Sequence, residues 1–225
     1  GVIIKLSSNF STLSKLKPDT IIAGSACPQK KLSEFALENG ISGFEFMYCI
    51  PGSVGGGLQM NSGCFGTEFK DKLISLQCID TKGNIKVIPS NKIKFQYRKI
   101  ELNENLIFLS ATFKGDLLNK NKIKNLMEEL STKKNNSQPS KIKTGGSTFK
   151  NPIDQTTKKA WELIKESVPE NINFGDASIS KKHSNFFINK KNASFEEMNS
   201  LINFVKKNVK DKTGININLE IKIIE

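Results

Sequence analysis

Two rhythms of apolar residues run along the chain. One has the period of a helix. In "PQKKLSEFALENG" (28–40), Pro28 stands near the start and Gly40 just past the end, where each suits a helix. In "NKNKIKNLMEELSTKK" (119–134), Ile123, Leu126, Met127 and Leu130 fall on one side. "TKKAWELIKES" (157–167) predicts a shorter helix, with Trp161 as a core residue. The strongest helical pattern starts at Ser194. Ser194 and Glu197 form an S-x-x-E capping box, and Gly214 marks the stop. Between them, Phe195, Met198, Leu201, Ile202, Val205 and Val209 share a face.

The other rhythm is that of strands. "GVIIKLSS" (1–8) and "DTIIAGSA" (19–26) are short β-branched runs. "LISLQCID" and "NIKVIP", joined by "TKG", predict a hairpin over 73–89. "NLIFLSATFK" (105–114) is nearly all apolar and predicts a strand buried on both faces. "SNFFINK" (184–190) and "ININLEIKII" (215–224) complete the set. Helices and strands do not alternate regularly, so an α+β fold suits the order better than a doubly wound one. The polar run "NNSQPSKIKTGGSTFKNP" (135–152) reads as a loop and a domain junction. The expected division is a first domain over 1–137, a second over 138–215, and a final strand over 216–225.

Composition narrows the function. The chain has 225 residues, no apolar run able to span a bilayer, and no secretory signal. A cytoplasmic protein follows as the expectation. "GVIIKL" reads as a strand interior, so residues preceding Gly1 are expected. The cysteines, Cys27, Cys49, Cys64 and Cys78, lack C-x-x-C spacing and the lone His183 stands apart from them, so reduced thiols and no metal site are expected. The net charge is +12. Its lysines are spread through every segment, without an RNA-binding signature, which favours small anions such as nucleotides over a nucleic acid. Among the 34 basic side chains, Arg98 is the single arginine. Lysine carries the same charge but lacks the planar fork that grips a carboxylate or phosphate at two points.

Four stretches can carry chemistry. "IPGSVGGGLQMNSG" (50–63) holds five glycines, which let backbone approach a ligand and offer N–H groups as a phosphate nest. It has neither P-loop nor G-x-G-x-x-G spacing, and a plain tight loop is its other reading. "GGSTFKNP" (145–152) places Ser147 on a glycine turn, followed by Lys150 and Asn151 as donors; one histidine gives little support to a hydrolase triad. In "NLEIKIIE" (218–225), alternation puts Glu220 on one face with Lys222 and Ile224. That face is solvated unless something covers it, and a covered acid would titrate high. His183 reads as structural.

Taken in order, these stretches resemble the UDP-N-acetylenolpyruvoylglucosamine reductase (MurB) family. "IPGSVGGGLQMNSGCFG" is similar to the family's IPGTVGGAxxMNAGAYG, and Tyr97-Arg98 to its YR-x-S. "SQP" with "GGSTFKNP" is similar to QP…AGSxFKNP, "KHSNFFIN" to KHxNFIVN, and "GININLEIKII" to GVxLExEVxxIG. The resemblance is to the subfamily without an extra tyrosine loop. Lys134 stands where the family often has arginine. It implies the second half of an FAD-binding domain of the vanillyl-alcohol-oxidase/PCMH type and a smaller substrate domain. The implied activity is that of a monomeric, NADPH-dependent flavoenzyme of peptidoglycan precursor synthesis acting on a UDP-sugar. It also implies roles: Ser147 as proton donor, and Arg98 and Glu220 as stabilisers of charge on the substrate. Gly24, Pro51, Gly52, Ser53, Gly55, Gly56, Asn61 and Gly63 would hold FAD; Tyr97, Lys150 and Asn151 would meet substrate. Alternatives are a related FAD oxidoreductase with another substrate and a lysine-rich nucleic-acid-binding module.

Overall fold

The computed structural model describes residues 4–102, 105–139 and 142–224. The chain divides into two units, Gly1–Lys134 and Asn135–Glu225. The first holds strands β1 (Leu13–Lys17) and β2 (Thr20–Gly24), helices α1 (Gln29–Glu38) and α2 (Val54–Gln59), and strands β3 (Leu73–Asp80), β4 (Ile85–Pro89) and β5 (Leu106–Lys114). The five strands form one antiparallel sheet in the order β1-β2-β5-β3-β4. Helix α3 (Lys120–Ser137) follows.

One face of this sheet makes the core. Ile21 and Ala23 of β2, Leu76 and Cys78 of β3, and Phe108, Ala111 and Phe113 of β5 pack with Leu32 and Ala36 of α1. The α1 face at 29, 32, 33 and 36 is the buried one, as its period predicts. Phe44, Phe69 and Phe113 meet edge to face, which suits the ring quadrupoles.

Three expectations change here. The apolar run of β5 buries only one face; Ile107 is 40% exposed, because antiparallel sheets commonly present their second face to solvent. Of the predicted strand over 1–8, residues 1–3 lie outside the described residues and 4–7 take no strand. The edge strand is instead the lysine-bearing "LSKLK" of β1, whose exposed side chains gave no period to read. The glycine stretch contains a helix, "VGGGLQ", despite a cost of about 1 kcal/mol per internal glycine.

The second unit holds β6 (Thr144–Ser147), α4 (Ala160–Ser167), β7 (Asn173–Phe174), β8 (Ala177–Ile179), β9 (Phe186–Asn189) and α5 (Phe195–Thr213). Its sheet is antiparallel in the order β6-β9-β8-β7. Leu163 and Ile164 of α4 and Leu201, Ile202, Val205 and Val209 of α5 pack with Phe149 and Phe187. The predicted capping box is present: Ser194 Oγ accepts from Glu197 N–H at 3.1 Å, and Glu197 Oε2 from Ser194 N–H at 3.1 Å. Gly214 ends the helix at φ 73°. Phe195, in the first turn, lies beyond that packing and is 54% exposed. Trp161 is not core either; it stands at the surface of α4 beside His183, ring centroids 6.3 Å apart. The predicted strand over 215–224 reduces to a single bridge, Phe149 to Leu219, since only this point finds a partner backbone.

Candidate active site

Each unit carries its own group of the residues singled out by sequence. In the first, the segment 51–56 lies across the start of α1. Gln29 N–H donates to Gly52 O at 3.0 Å, and Gln29 Nε2 to Ser53 O at 3.3 Å. Gly52 takes φ 105°, a conformation that favours glycine. Ser53 caps α2, accepting from Gly56 N–H at 3.2 Å. The N–H groups of Val54 and Gly55 bond to Cys27 O and Ser25 O, and that of Gly57 to Ser53 O. These three donors are used within the protein and are not open to a phosphate.

What the glycines do give is close approach. A Cβ on Gly57 would sit 2.5 Å from the Phe69 ring, and one on Gly24 2.0 Å from Phe10 O. A Cβ on Gly63 would sit 2.4 Å from Thr67 O. These three are packing glycines. Pro51, Gly52 and Gly56 instead face outward, and a Cβ on Gly56 would meet only Ser53 Oγ, at 3.5 Å. Gly55 lies against Ser25. Beneath the loop, Ser25 Oγ and Gln29 Oε1 are buried without a hydrogen-bond partner. An open glycine face over two unsatisfied polar atoms fits a flat, hydrogen-bonding cofactor such as FAD. Ser25 and Gln29 were not singled out in the sequence; only their contacts with the loop mark them.

Asn61 departs from its expected role. It is 0% exposed, and its amide is used inside the protein: Nδ2 donates to Glu68 Oε2 at 2.9 Å and Gln96 O at 3.3 Å, and Oδ1 accepts from Lys70 N–H at 3.1 Å. It ties the end of the glycine stretch to the Tyr97–Arg98 hairpin instead of offering its side chain to a cofactor.

That hairpin joins the paired segments Lys94–Gln96 and Lys99–Glu101 through a two-residue turn, Tyr97–Arg98. Arg98 holds φ 56°, a left-handed backbone that costs an L-residue about 1–2 kcal/mol. Its guanidinium donates to Gly63 O at 3.3 Å and lies 4.9 Å from the centre of the Tyr97 ring. A strained backbone under the single arginine is the type of outlier that functional sites keep. Next to Gly63, the Cys64 thiol donates to Phe46 O at 3.3 Å, and burial pushes its pKa up to about 12. It is therefore a neutral packing group there and not a nucleophile. Lys134 reaches from α3 to Cys49 O, just before the glycine segment.

In the second unit, Ser147 ends β6. Thr144 pairs with Ile188 and Ser147 with Phe186, so β6 carries one extra residue, a bulge. Gly146, inside it, takes φ 85°. Ser147 is thus aimed by a bulged strand and not by the simple turn that its glycines suggested. The chain then runs antiparallel to 218–220: Glu220 N–H donates to Thr148 O at 2.9 Å, and Lys150 N–H to Asn218 O at 2.8 Å. Half-buried Glu220, far from Ser147 in sequence, is thus joined by its backbone to Thr148, the residue that follows Ser147. Asn151 Oδ1 accepts from Ala160 N–H at 3.0 Å and so holds the start of α4.

Residues 1–88 match the FAD binding domain family, which defines the class as an FAD-dependent oxidoreductase. Residues 138–224 match the UDP-N-acetylenolpyruvoylglucosamine reductase C-terminal domain. A UDP-N-acetylenolpyruvoylglucosamine reductase of Pelagibacter ubique (strain HTCC1062) is 62% identical over 225 residues, 100% of this chain and 74% of that protein. One of Rickettsia bellii (strain RML369-C) is 43% identical over 224 residues, covering 100% of this chain and 73% of the relative. The crystal structure of UDP-N-acetylenolpyruvylglucosamine reductase (MurB) from Thermus caldophilus superposes with a TM-score of 0.82 at 28% identity, over 97% of this chain and 76% of that one. The chain belongs to the UDP-N-acetylenolpyruvoylglucosamine reductase family. Among the described residues, no His, Cys, Asp and Glu group could hold a metal, and no helix is long and apolar enough to cross a membrane.

Proposed function

We propose that this protein reduces UDP-N-acetylglucosamine enolpyruvate to UDP-N-acetylmuramate with NADPH, in peptidoglycan precursor synthesis. FAD, held by the glycine segment around Gly52, Ser53 and Gly56, would supply hydride chemistry drawn from NADPH, and the enolpyruvyl methylene carbon is where the hydride adds. The electrons of the double bond then move onto the neighbouring carbon and its carboxylate. Arg98 holds that carboxylate through its planar fork, and is worth most in the transition state, where the charge grows. The Ser147 hydroxyl gives the proton that completes the saturated product. Glu220 assists on the Ser147 side of the substrate, while Tyr97, Lys150 and Asn151 contact the rest of it. The protein works as a cytoplasmic monomer.

The observation that supports this reading is the backbone pairing of Thr148 with Glu220, which brings the residue next to Ser147 against the Glu220 segment, just after a bulge. Stopped-flow absorbance under anaerobic conditions on the intact gene product tests it. Ser147→Ala should leave flavin reduction by NADPH unchanged and slow reoxidation by the enolpyruvyl substrate by roughly 10²–10⁴-fold. Reoxidation at the wild-type rate would remove Ser147 from the chemistry.

A further inference from the structure

Asn185 has been given no role so far, although it lies within the "KHSNFFIN" stretch. It is only 4% exposed, and its side-chain amide bonds to one short piece of main chain. Its Oδ1 accepts from Phe149 N–H at 2.9 Å, and its Nδ2 donates to Phe149 O at 2.8 Å. Its own carbonyl accepts from Thr148 N–H at 2.8 Å. Because a backbone N–H can only donate and a carbonyl only accept, the amide orientation is fixed by Phe149 itself.

The bulge in β6 interrupts the regular ladder with β9 immediately before these residues. Asn185 replaces the missing rungs with a side chain. Thr148 is then held from both sides, through its N–H by Asn185 O and through its carbonyl by Glu220 N–H. The Phe149 side chain, 1% exposed and edge-on to Phe187 at 5.7 Å, anchors the segment in the core. Asn185 is itself fixed by its N–H, which donates to His183 Nδ1 at 3.2 Å.

We infer that Asn185 is a positioning residue of the reaction: it sets the backbone from which Ser147 and Glu220 are presented to the substrate. The inference rests on the proposed roles of those two residues. No other side chain of this length offers one donor and one acceptor in a single plane. Aspartate loses the donor and places a charge in a buried site, and alanine leaves Phe149 N–H and C=O without partners.

The test compares Asn185→Ala and Asn185→Ser in the flavin-loaded intact gene product, with serine able to serve one of the two Phe149 groups. Flavin reduction by NADPH should stay within about twofold of wild type, since that step needs neither Ser147 nor Glu220. Reoxidation by the enolpyruvyl substrate should slow by about 10²-fold in the alanine variant, the scale of a small misplacement of reacting groups, and by less in serine. In deuterated water the slowed step should show a larger isotope effect, as expected when proton delivery limits it. Unchanged reoxidation would overturn the inference, and so would an equal loss of both half-reactions, which marks a purely structural residue. If alanine does not fold, the serine variant is read by the same two criteria. If wild-type flavin is reduced by NADPH but not reoxidised by the enolpyruvyl compound, the proposed function falls, and this inference with it.

Discussion

Adjacent glycines in α2 should respond in opposite ways to the same added methyl group. At Gly57 a Cβ would come within 2.5 and 2.6 Å of two Phe69 ring atoms and 3.0 Å of Gln29 Nε2. Phe69 cannot swing aside easily: it is 0% exposed and stacked edge-on against Phe46 and Phe113. Overpacking of this type costs about 1–3 kcal/mol, against a gain of about 1 kcal/mol for alanine over glycine in a helix. With a contact this short the steric cost lies at its upper end, so Gly57→Ala should destabilise by about 2 kcal/mol. At Gly56 the methyl group would find only Ser53 Oγ, at 3.5 Å. Gly56→Ala should therefore stabilise the flavin-free protein by up to ~1 kcal/mol. Thermal unfolding followed by circular dichroism should move by about 2–4 °C per kcal/mol for a chain of this size. Titration of the stripped protein with FAD gives the second readout. If the cofactor lies on the open glycine face, Gly56→Ala should weaken it by about tenfold or more, equal to ~1.4 kcal/mol, while raising the melting temperature. Unchanged affinity in that variant would show that nothing approaches Gly56, and a stabilised Gly57→Ala would show that the Phe69 ring yields.

Two further outcomes follow from strained or buried groups. Arg98→Gly removes the left-handed strain of ~1–2 kcal/mol, which offsets the loss of side-chain interactions such as those to Gly63 O and the Tyr97 ring, so its melting temperature should stay within a few degrees of wild type. Its turnover should fall by roughly 10²–10³-fold; a clear loss of stability with turnover retained would make Arg98 a structural residue. Burial holds the His183 pKa below its ordinary value, so the folded protein binds that proton less readily than the unfolded chain. The stability it contributes is complete above the unfolded value of about 6.5 and is lost as the pH falls through the lower folded value. Melting temperatures should therefore fall more steeply below pH 6.5 in wild type than in His183→Gln; parallel curves would contradict the linkage.

Legibility of the fold followed burial. Helix α5 could be read to its ends, because its cap, its apolar face and its stop each left a residue type in place. Strand β1 could not, since an edge strand with four exposed side chains has no apolar alternation to show, and its hydrogen bonds to β2 are made by backbone alone. The apolar run of β5 misled in the other direction: Ile107 and Leu109 look like a second buried face, yet Ile107 is 40% exposed. Sequence reports that a side chain is apolar, and topology decides whether anything covers it.

The same division explains the site. Ser147, Arg98 and the glycine segment stand out in the sequence because their chemistry or density is unusual: a serine among glycines, a single arginine, five glycines in a short stretch. Their supports could not. Asn61 was singled out and Asn185 was not, yet both are nearly inaccessible amides bonded to main-chain groups of a distant segment. An asparagine reads the same whether it faces a ligand or substitutes for a missing rung of a sheet. What separates the two cases is whether the backbone opposite it already has a partner, and that depends on residues tens of positions away. The bulge at Gly146 is the physical cause here: by adding one residue to β6 it re-aims Ser147 and leaves Phe149 in need of the partner that Asn185 provides. A site aimed by irregular backbone needs such a partner, so buried amides facing bulges are the places to look for residues that hold a reaction in register without touching it.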